Sequence, residues 1–211
     1  MLLVRHGQST WNAAGRWQGR ADPPLTALGE QQARQAAGAQ GSFDVLVSSP
    51  LQRAWRTAEL IGDELGIGPV QPRDDLAERE VGPWTGLTFE EIDLTWPGAL
   101  QRREWPAGFE DDEAIVERAV RAVVELAACH PWASVLGVTH GGVLHALERG
   151  FGRTQGRFTN LSGFWLAVDD GRITFGERVL LAEVETGGRS LSGLARTHSP
   201  VGDRERMTEQ A

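Results

Sequence analysis

The sequence predicts an α/β fold with a mostly parallel central sheet. Three observations carry this reading. Short apolar runs of strand length recur along the chain, amphipathic helical stretches lie between them, and three of the runs break directly into polar residues capable of chemistry. In open α/β sheets such groups collect beyond the carboxyl ends of the strands.

Leu2-Leu3-Val4 reads as a buried strand that breaks at once into Arg5-His6-Gly7. Thr26 to Gln40 reads as a helix, with Thr26 and Glu30 near its capping position. Phe43 to Val47 forms the next strand and ends in Ser48-Ser49-Pro50. Leu51 to Leu65 places Leu51, Ala54, Ala58, Ile61 and Leu65 on one side of a helix that Gly66 stops. A short helix is expected over Thr88 to Leu94. Ala114 to Cys129 repeats Ile115, Ala119, Val123 and Leu126 at helical spacing. The acids Glu110 to Glu113 precede it, suit a helix N-terminus electrostatically, and read as a solvated cap. Ser134 to Val138 is a buried strand that breaks into Thr139-His140-Gly141-Gly142, followed by a helix to about Arg149. Phe164 to Val168 and Ile173 to Val179 flank Asp169-Asp170-Gly171, a hairpin signal. Residues 1–185 read as one domain, and residues 186–211, without periodicity, as a mobile tail.

Composition excludes several function classes. A chain of 211 residues buries a full core without disulfides or metals. Its net charge of -8 argues against a nucleic-acid binder, which needs a basic face. An anionic substrate then requires arginines gathered locally against the global field. All 21 basic residues are arginine, which rules out a P-loop lysine and any Schiff base. Cys129 is the only cysteine and reads as a small buried side chain on a helix. His, Asp and Glu show no metal-ligand spacing, so neither a metal nor another cofactor is expected. No stretch reaches the roughly 20 apolar residues of a membrane span. The apolar run at the start ends at Val4, too soon for a signal peptide, and a cytoplasmic protein is expected. The sequence leaves a homodimer open.

Arg5-His6-Gly7, Ser48-Ser49-Pro50 leading to Arg53, and Thr139-His140-Gly141 all fall at strand ends. Two histidines and two arginines there could converge on one tetrahedral anion. Arginine's planar fork makes paired, charge-assisted bonds to phosphate oxygens. A neutral histidine is a competent nucleophile toward phosphorus, and neighbouring positive charge disfavours the imidazolium.

The opening MLLVRHGQSTWN, together with RWQGRADPPLTALGEQQA, SSPLQRAWRTAE, LAEREVGPWTG and VTHGG, resembles the histidine phosphatase superfamily in order from about residue 2 to about residue 150. That superfamily includes cofactor-dependent phosphoglycerate mutases and their phosphatase relatives. The resemblance implies a three-layer α/β/α sandwich. It also implies that His6 is the nucleophile of a phosphohistidine, with Arg5, Arg53 and His140 holding the phosphoryl oxygens. Glu78, in the pattern L-x-E-x-x-x-G-x-W-x-G from Leu76 to Gly86, is implied as the general acid. Asn12 falls on the family asparagine as an accessory phosphate contact, and Ser9 is expected to help less directly.

The family spacing prefers Arg53 over Arg56 and Glu78 over Glu80. His145 reads as a helix or core histidine, and His130 and His198 as surface residues. The eight tryptophans read mostly as core or pocket wall, with Trp96 and Trp105 in the region expected to roof the pocket. PAGFEDDEA departs from the P-x-G-E-S run of many relatives, with Glu110 approximating its acid. The expected activity is a metal-independent phosphatase acting on a small phosphorylated metabolite. The rivals are mutase-type transfer to a second oxygen and a silent phosphate-ligand sensor. The absence of lysine and the short span Leu87 to Asp112 favour hydrolysis over the mutase.

Overall fold

Strands and helices alternate as the patterning requires. The computed structural model describes residues 1–39, 41–153 and 156–182, so the proposed C-terminal tail lies outside the described residues. In chain order the elements are β1 (Leu2–Arg5), α1 (Thr10–Ala13), α2 (Ala27–Ala36), β2 (Val45–Ser48), α3 (Gln52–Leu65), β3 (Gln71–Pro72), α4 (Phe89–Thr95) and α5 (Ala99–Arg102). They continue with α6 (Asp112–Cys129), β4 (Val135–Thr139), α7 (Gly141–Gly150), β5 (Ser162–Asp169) and β6 (Arg172–Leu180). The six-stranded sheet has the order β3-β2-β4-β1-β5-β6. β3, β2, β4 and β1 run parallel, and the β5–β6 hairpin adds two antiparallel strands beside β1.

Period-two alternation in the strands feeds two cores, one on each face of the sheet. Leu3 and Val47 pack with Ile115, Ala119, Val123 and Leu126 of α6 and with Val143, Leu144 and Leu147 of α7. Leu2, Val4, Leu46, Leu136 and Val138 pack on the opposite face with Ala33 and Ala36 of α2 and with Ala54, Ala58 and Ile61 of α3. The result is the expected three-layer α/β/α sandwich. Among the described residues no helix is long and apolar enough to cross a membrane.

Local chemistry explains the helix limits. Thr26 caps α2 by accepting from Gly29 N at 3.0 Å, whereas Glu30 turns instead toward Arg56. Thr88 and Glu91 form a reciprocal capping box on α4. Gly66 ends α3 in the left-handed conformation. Cys129 departs from expectation, because it is exposed. Although it continues the apolar spacing of α6, the buried stripe ends one turn earlier, at Leu126, and Cys129 is the helix's last residue.

A smaller third cluster covers the carboxyl ends of the strands. Its centre is Trp84, fully buried, with Val81, Ile92 and Ala99 around it. Trp17, Trp105 and Phe109 meet the Trp84 ring edge-on, and Trp96 packs tilted against it. Truncating a buried tryptophan typically costs about 3–5 kcal/mol, so Trp84 anchors this cover.

Candidate active site

Sheet pairing brings the strand-end residues together. The β1–β4 register sets Arg5 opposite Thr139, and His6 N donates to Thr139 O at 3.0 Å. The next residue of each strand is a histidine, and the His6 and His140 rings meet edge-on with centroids 5.1 Å apart. On the other side of β4, Ser49 N donates to Val138 O at 3.0 Å, which sets Ser49 Oγ 2.7 Å from His140 Nε2. Arg53 enters from the first turn of α3. The loop after β1 is tied to that helix, because Gly7 N donates to Thr57 Oγ1 at 3.1 Å and Thr57 Oγ1 donates to Arg53 O at 2.7 Å. Gly7 is required by a close approach: a Cβ there would lie 2.5 Å from Gly29 O of α2.

Hydrogen bonds fix the tautomer of His6. A carbonyl only accepts, so the 2.6 Å contact with Gly7 O places the proton on Nδ1. A guanidinium only donates, so Arg53 Nε at 3.3 Å points its N–H at the Nε2 lone pair. Burial, then the charges of Arg53 and Arg5, hold His6 well below the ordinary histidine pKa of 6.5. The ring is therefore neutral at physiological pH, with the Nε2 lone pair directed at Arg53. His140 is pushed down in the same direction by burial, Arg53, His6 and Arg5.

The arginines differ in what they have left to offer. Arg53 is fully buried and donates to Ala21 O at 2.7 Å and Gly19 O at 2.9 Å, fastening the loop that precedes α2. Arg5 donates from Nη1 to Phe158 O at 2.8 Å, whereas its buried Nε has no partner among the described residues. Burial lowers the Arg5 pKa to about 10, opposed by Glu78, and the side chain stays charged at neutral pH. His140 Nδ1 is likewise buried without a partner. Ser49 Oγ accepts from Leu51 N at 3.3 Å, so its own proton is available to His140 Nε2. With that proton donated to Nε2, His140 carries its own on Nδ1. In that tautomer Arg5 Nε and His140 Nδ1 are two buried donors without a partner among the described residues.

Glu78 completes the group from the segment after β3. Its Oε1 accepts from Arg79 N at 2.7 Å and its Oε2 from Gly142 N at 3.2 Å, at the start of α7. Glu78 also lines a pocket of about 610 Å³ whose apolar wall is Trp17, Val81, Trp105 and Phe109. Glu80 lies outside that wall, and its N–H is taken by Glu110 at 3.2 Å.

Ser9 and Asn12 occupy a different position. Together they form the capping box of α1, and Ser9 is fully buried, with Oγ donating to Gln18 Oε1 at 2.7 Å. Asn12 Oδ1 accepts from Ser9 N at 3.2 Å and Asn160 Nδ2 at 3.3 Å. Asn12 borders a separate depression with Arg5 and Arg157, not the pocket above Glu78.

Several wall residues escaped the sequence reading. The acids at the start of α6 are not simply a solvated cap. Asp111 does cap the helix, accepting from Ala114 N at 2.8 Å. Glu110, however, forms a two-point pair with Arg118 at 2.8 and 3.0 Å, and Asp112 joins Arg79 to Arg149. No local spacing signals the Glu110–Arg118 pair, because Glu110 precedes the cap of α6 and has no helical phase. His145 also lines the pocket, against Phe158, and burial with Arg149 and Arg178 lowers it to about 4. Trp105 does roof the pocket, but Trp96 packs behind Trp84 and does not reach it.

Comparison with known proteins agrees with this arrangement. Residues 1–168 match the family model of the histidine phosphatase superfamily (branch 1). The chain is 37% identical over 149 residues to "Uncharacterized phosphatase PhoE" of Bacillus subtilis, covering 70% of this chain and 74% of that one. It is 34% identical over 197 residues to glucosyl-3-phosphoglycerate phosphatase of Mycobacterium tuberculosis, covering 81% of this chain and 88% of that one. A solved mycobacterial glucosyl-3-phosphoglycerate phosphatase in complex with VO3 superimposes with a TM-score of 0.74 at 32% identity, over 83% of this chain and 96% of that chain. With the family model spanning the strand-end histidines and the sheet superimposing on a solved phosphatase, the chain belongs to the histidine phosphatase superfamily, branch 1.

Proposed function

We propose that this chain is a metal-independent phosphomonoester phosphatase that acts in the cytoplasm on a small phosphorylated metabolite through a phosphohistidine at His6. One observation carries the reading. A neutral, buried His6 presents Nε2 beside Arg53 and Arg5, and both Arg5 Nε and His140 Nδ1 are buried without partners among the described residues. Such donors suit the equatorial oxygens of a phosphoryl group in transfer.

In the first step the Nε2 lone pair bonds to phosphorus and the ester P–O bond breaks. Nδ1–H stays on Gly7 O and holds the ring in register. The phosphoryl oxygen entering at Nε2 takes over the Arg53 Nε–H donor. Glu78, protonated, gives its proton to the leaving oxygen. In the second step Glu78 takes a proton from water, the resulting hydroxide bonds to phosphorus, and the N–P bond returns its electrons to Nε2. Phosphate leaves, and Glu78 is again protonated. The names of the relatives favour hydrolysis over mutase transfer, as does the short cover between Leu87 and Asp112.

Rapid quench with labelled substrate tests this mechanism. The wild type should yield an acid-labile, base-stable phosphoenzyme, and His6→Ala should yield none while still binding phosphate. Label retained in His6→Ala would refute the assignment.

A further inference from the structure

The segment that leads into β5 supports the candidate site from behind. Arg5 Nη1 donates to Phe158 O at 2.8 Å, the only hydrogen bond that the Arg5 side chain makes among the described residues. Asn160 Nδ2, two residues on, donates to His6 O at 2.9 Å, and Leu161 N donates to Arg5 O at 3.0 Å. The place of Arg5 therefore depends on the place of residues 158–161. What fixes that segment lies on its far side. Arg178 of β6 pairs with Phe164 of β5, so the two side chains leave the sheet on one face, toward α7. There Arg178 binds Glu148 of α7 twice, with Nε to Oε1 at 2.8 Å and Nη2 to Oε2. Glu148 is 2% exposed, and a carboxylate so buried carries a desolvation cost that apolar packing between α7 and β6 would avoid. The two-point contact fixes the plane of the guanidinium, whose centre lies 3.9 Å from the centroid of the Phe158 ring. His145 and Phe164 meet the same ring edge-on, at 4.9 and 5.7 Å.

We propose that Arg178, anchored by Glu148, is a positioning residue for Arg5, acting through the Phe158 ring to set the carbonyl that holds the Arg5 guanidinium. The inference rests on the phosphatase reading above. Neither Arg178 nor Glu148 lines the pocket above Glu78 or the depression beside Arg5, so both act at one remove. Ring and carbonyl belong to one residue, and a ring free to shift carries the carbonyl with it. Arg5 Nε then misses the phosphoryl oxygen assigned to it, and the arginine keeps its charge but loses its aim.

The test is a double-mutant cycle on kcat/KM for 4-nitrophenyl phosphate, with thermal melts beside it to correct each rate for the folded fraction. A misplacement of about 1 Å costs about a hundredfold, and the smaller shift of a loosened carbonyl should cost Arg178→Met about tenfold. In an Arg5→Met background no guanidinium remains to be seated, and the same change should cost less than about twofold. A role in stability alone gives one factor in both backgrounds. Arg178→Met also leaves Glu148 buried without its partner, so Phe158→Leu is the second variant. It keeps the carbonyl, the apolar bulk and the Glu148–Arg178 pair, changes no charge, and removes only the ring face. It should show the same loss, and the same suppression when Arg5 is replaced. A loss that persists in full without Arg5, or a Phe158→Leu enzyme with the kcat/KM of the wild type, overturns the inference and leaves the phosphatase reading standing. Failure of the wild type to hydrolyse the ester overturns both.

Discussion

Gly142→Ala separates catalysis from stability at this site. A methyl built on Gly142 falls on Glu78 Oε1 and lies 3.1 Å from Glu78 Cδ and 3.4 Å from Arg79 Cβ. Oε1 is the far end of a flexible side chain, so the carboxyl group moves and α7 stays. The displaced Glu78 loses the 3.2 Å bond from Gly142 N, worth about 1 kcal/mol. Replacing glycine by alanine in the first turn of α7 gains up to about 1 kcal/mol of helix propensity, which offsets it. The melting temperature should therefore change by no more than about 3 °C. Activity should not be spared. A general acid contributes about 10²–10⁴-fold. Misplacing it by about 1 Å should cost an alkyl phosphate roughly a hundredfold in kcat/KM. An aryl ester such as 4-nitrophenyl phosphate, whose leaving group needs little protonation, should lose less than about tenfold. The assay is steady-state kinetics on both esters beside a thermal melt. Equal losses for the two esters, or an unaffected alkyl ester, would refute Glu78 as the acid and Gly142 as the residue that seats it.

Two other perturbations probe the buried charges. Arg53→Met leaves Gly19 O and Ala21 O without donors, which at about 1–3 kcal/mol each should lower the melting temperature by several degrees. The same change should cut phosphoenzyme formation by about 10²-fold or more, and a folded variant with an undiminished rate in rapid quench would contradict the role given to Arg53. His145 titrates at about 4 in the folded chain against 6.5 ordinarily, so the unfolded state binds more protons between those values. Stability should fall as pH drops from 6.5 toward 4, and His145→Gln should flatten that slope in melts taken across the window. An unchanged slope would show that the histidine is solvated.

Most of the candidate site was legible because it is local to strand ends. Arg5-His6-Gly7 and Thr139-His140-Gly141 each follow a short apolar run, and parallel pairing of the runs suffices to bring the histidines together. Helix starts shifted by a residue or two where caps decide them, as at Asp111 and Thr26, whereas α2 ends at Ala36, four residues before the expected Gln40. The pocket wall was less legible. Asp112, Arg79, Arg149 and His145 come from three separate segments, and no period or local spacing announces which acid reaches which arginine. Cys129 was misjudged for a related reason. Helical phase gives the direction in which a side chain points, but not where the neighbouring layer ends. Ser9 and Asn12 show a different limit, since one motif closes the capping box of α1 while Asn12 borders the same depression as Arg5.

The four residues of β1 couple the enzyme's chemistry to its interior. Leu3 faces one core, Leu2 and Val4 face the other, and the histidine follows after a single intervening residue. A slip of one residue against β4 would invert every side chain on the strand. It would push Leu3 into the layer built for Leu2 and Val4, and it would turn the imidazole away from His140 in the same movement. No misregistered form of this chain can therefore be both well packed and active. Among mutations confined to β1, insertions and deletions should abolish folding and turnover together, whereas substitutions that keep the frame remain free to trade one against the other.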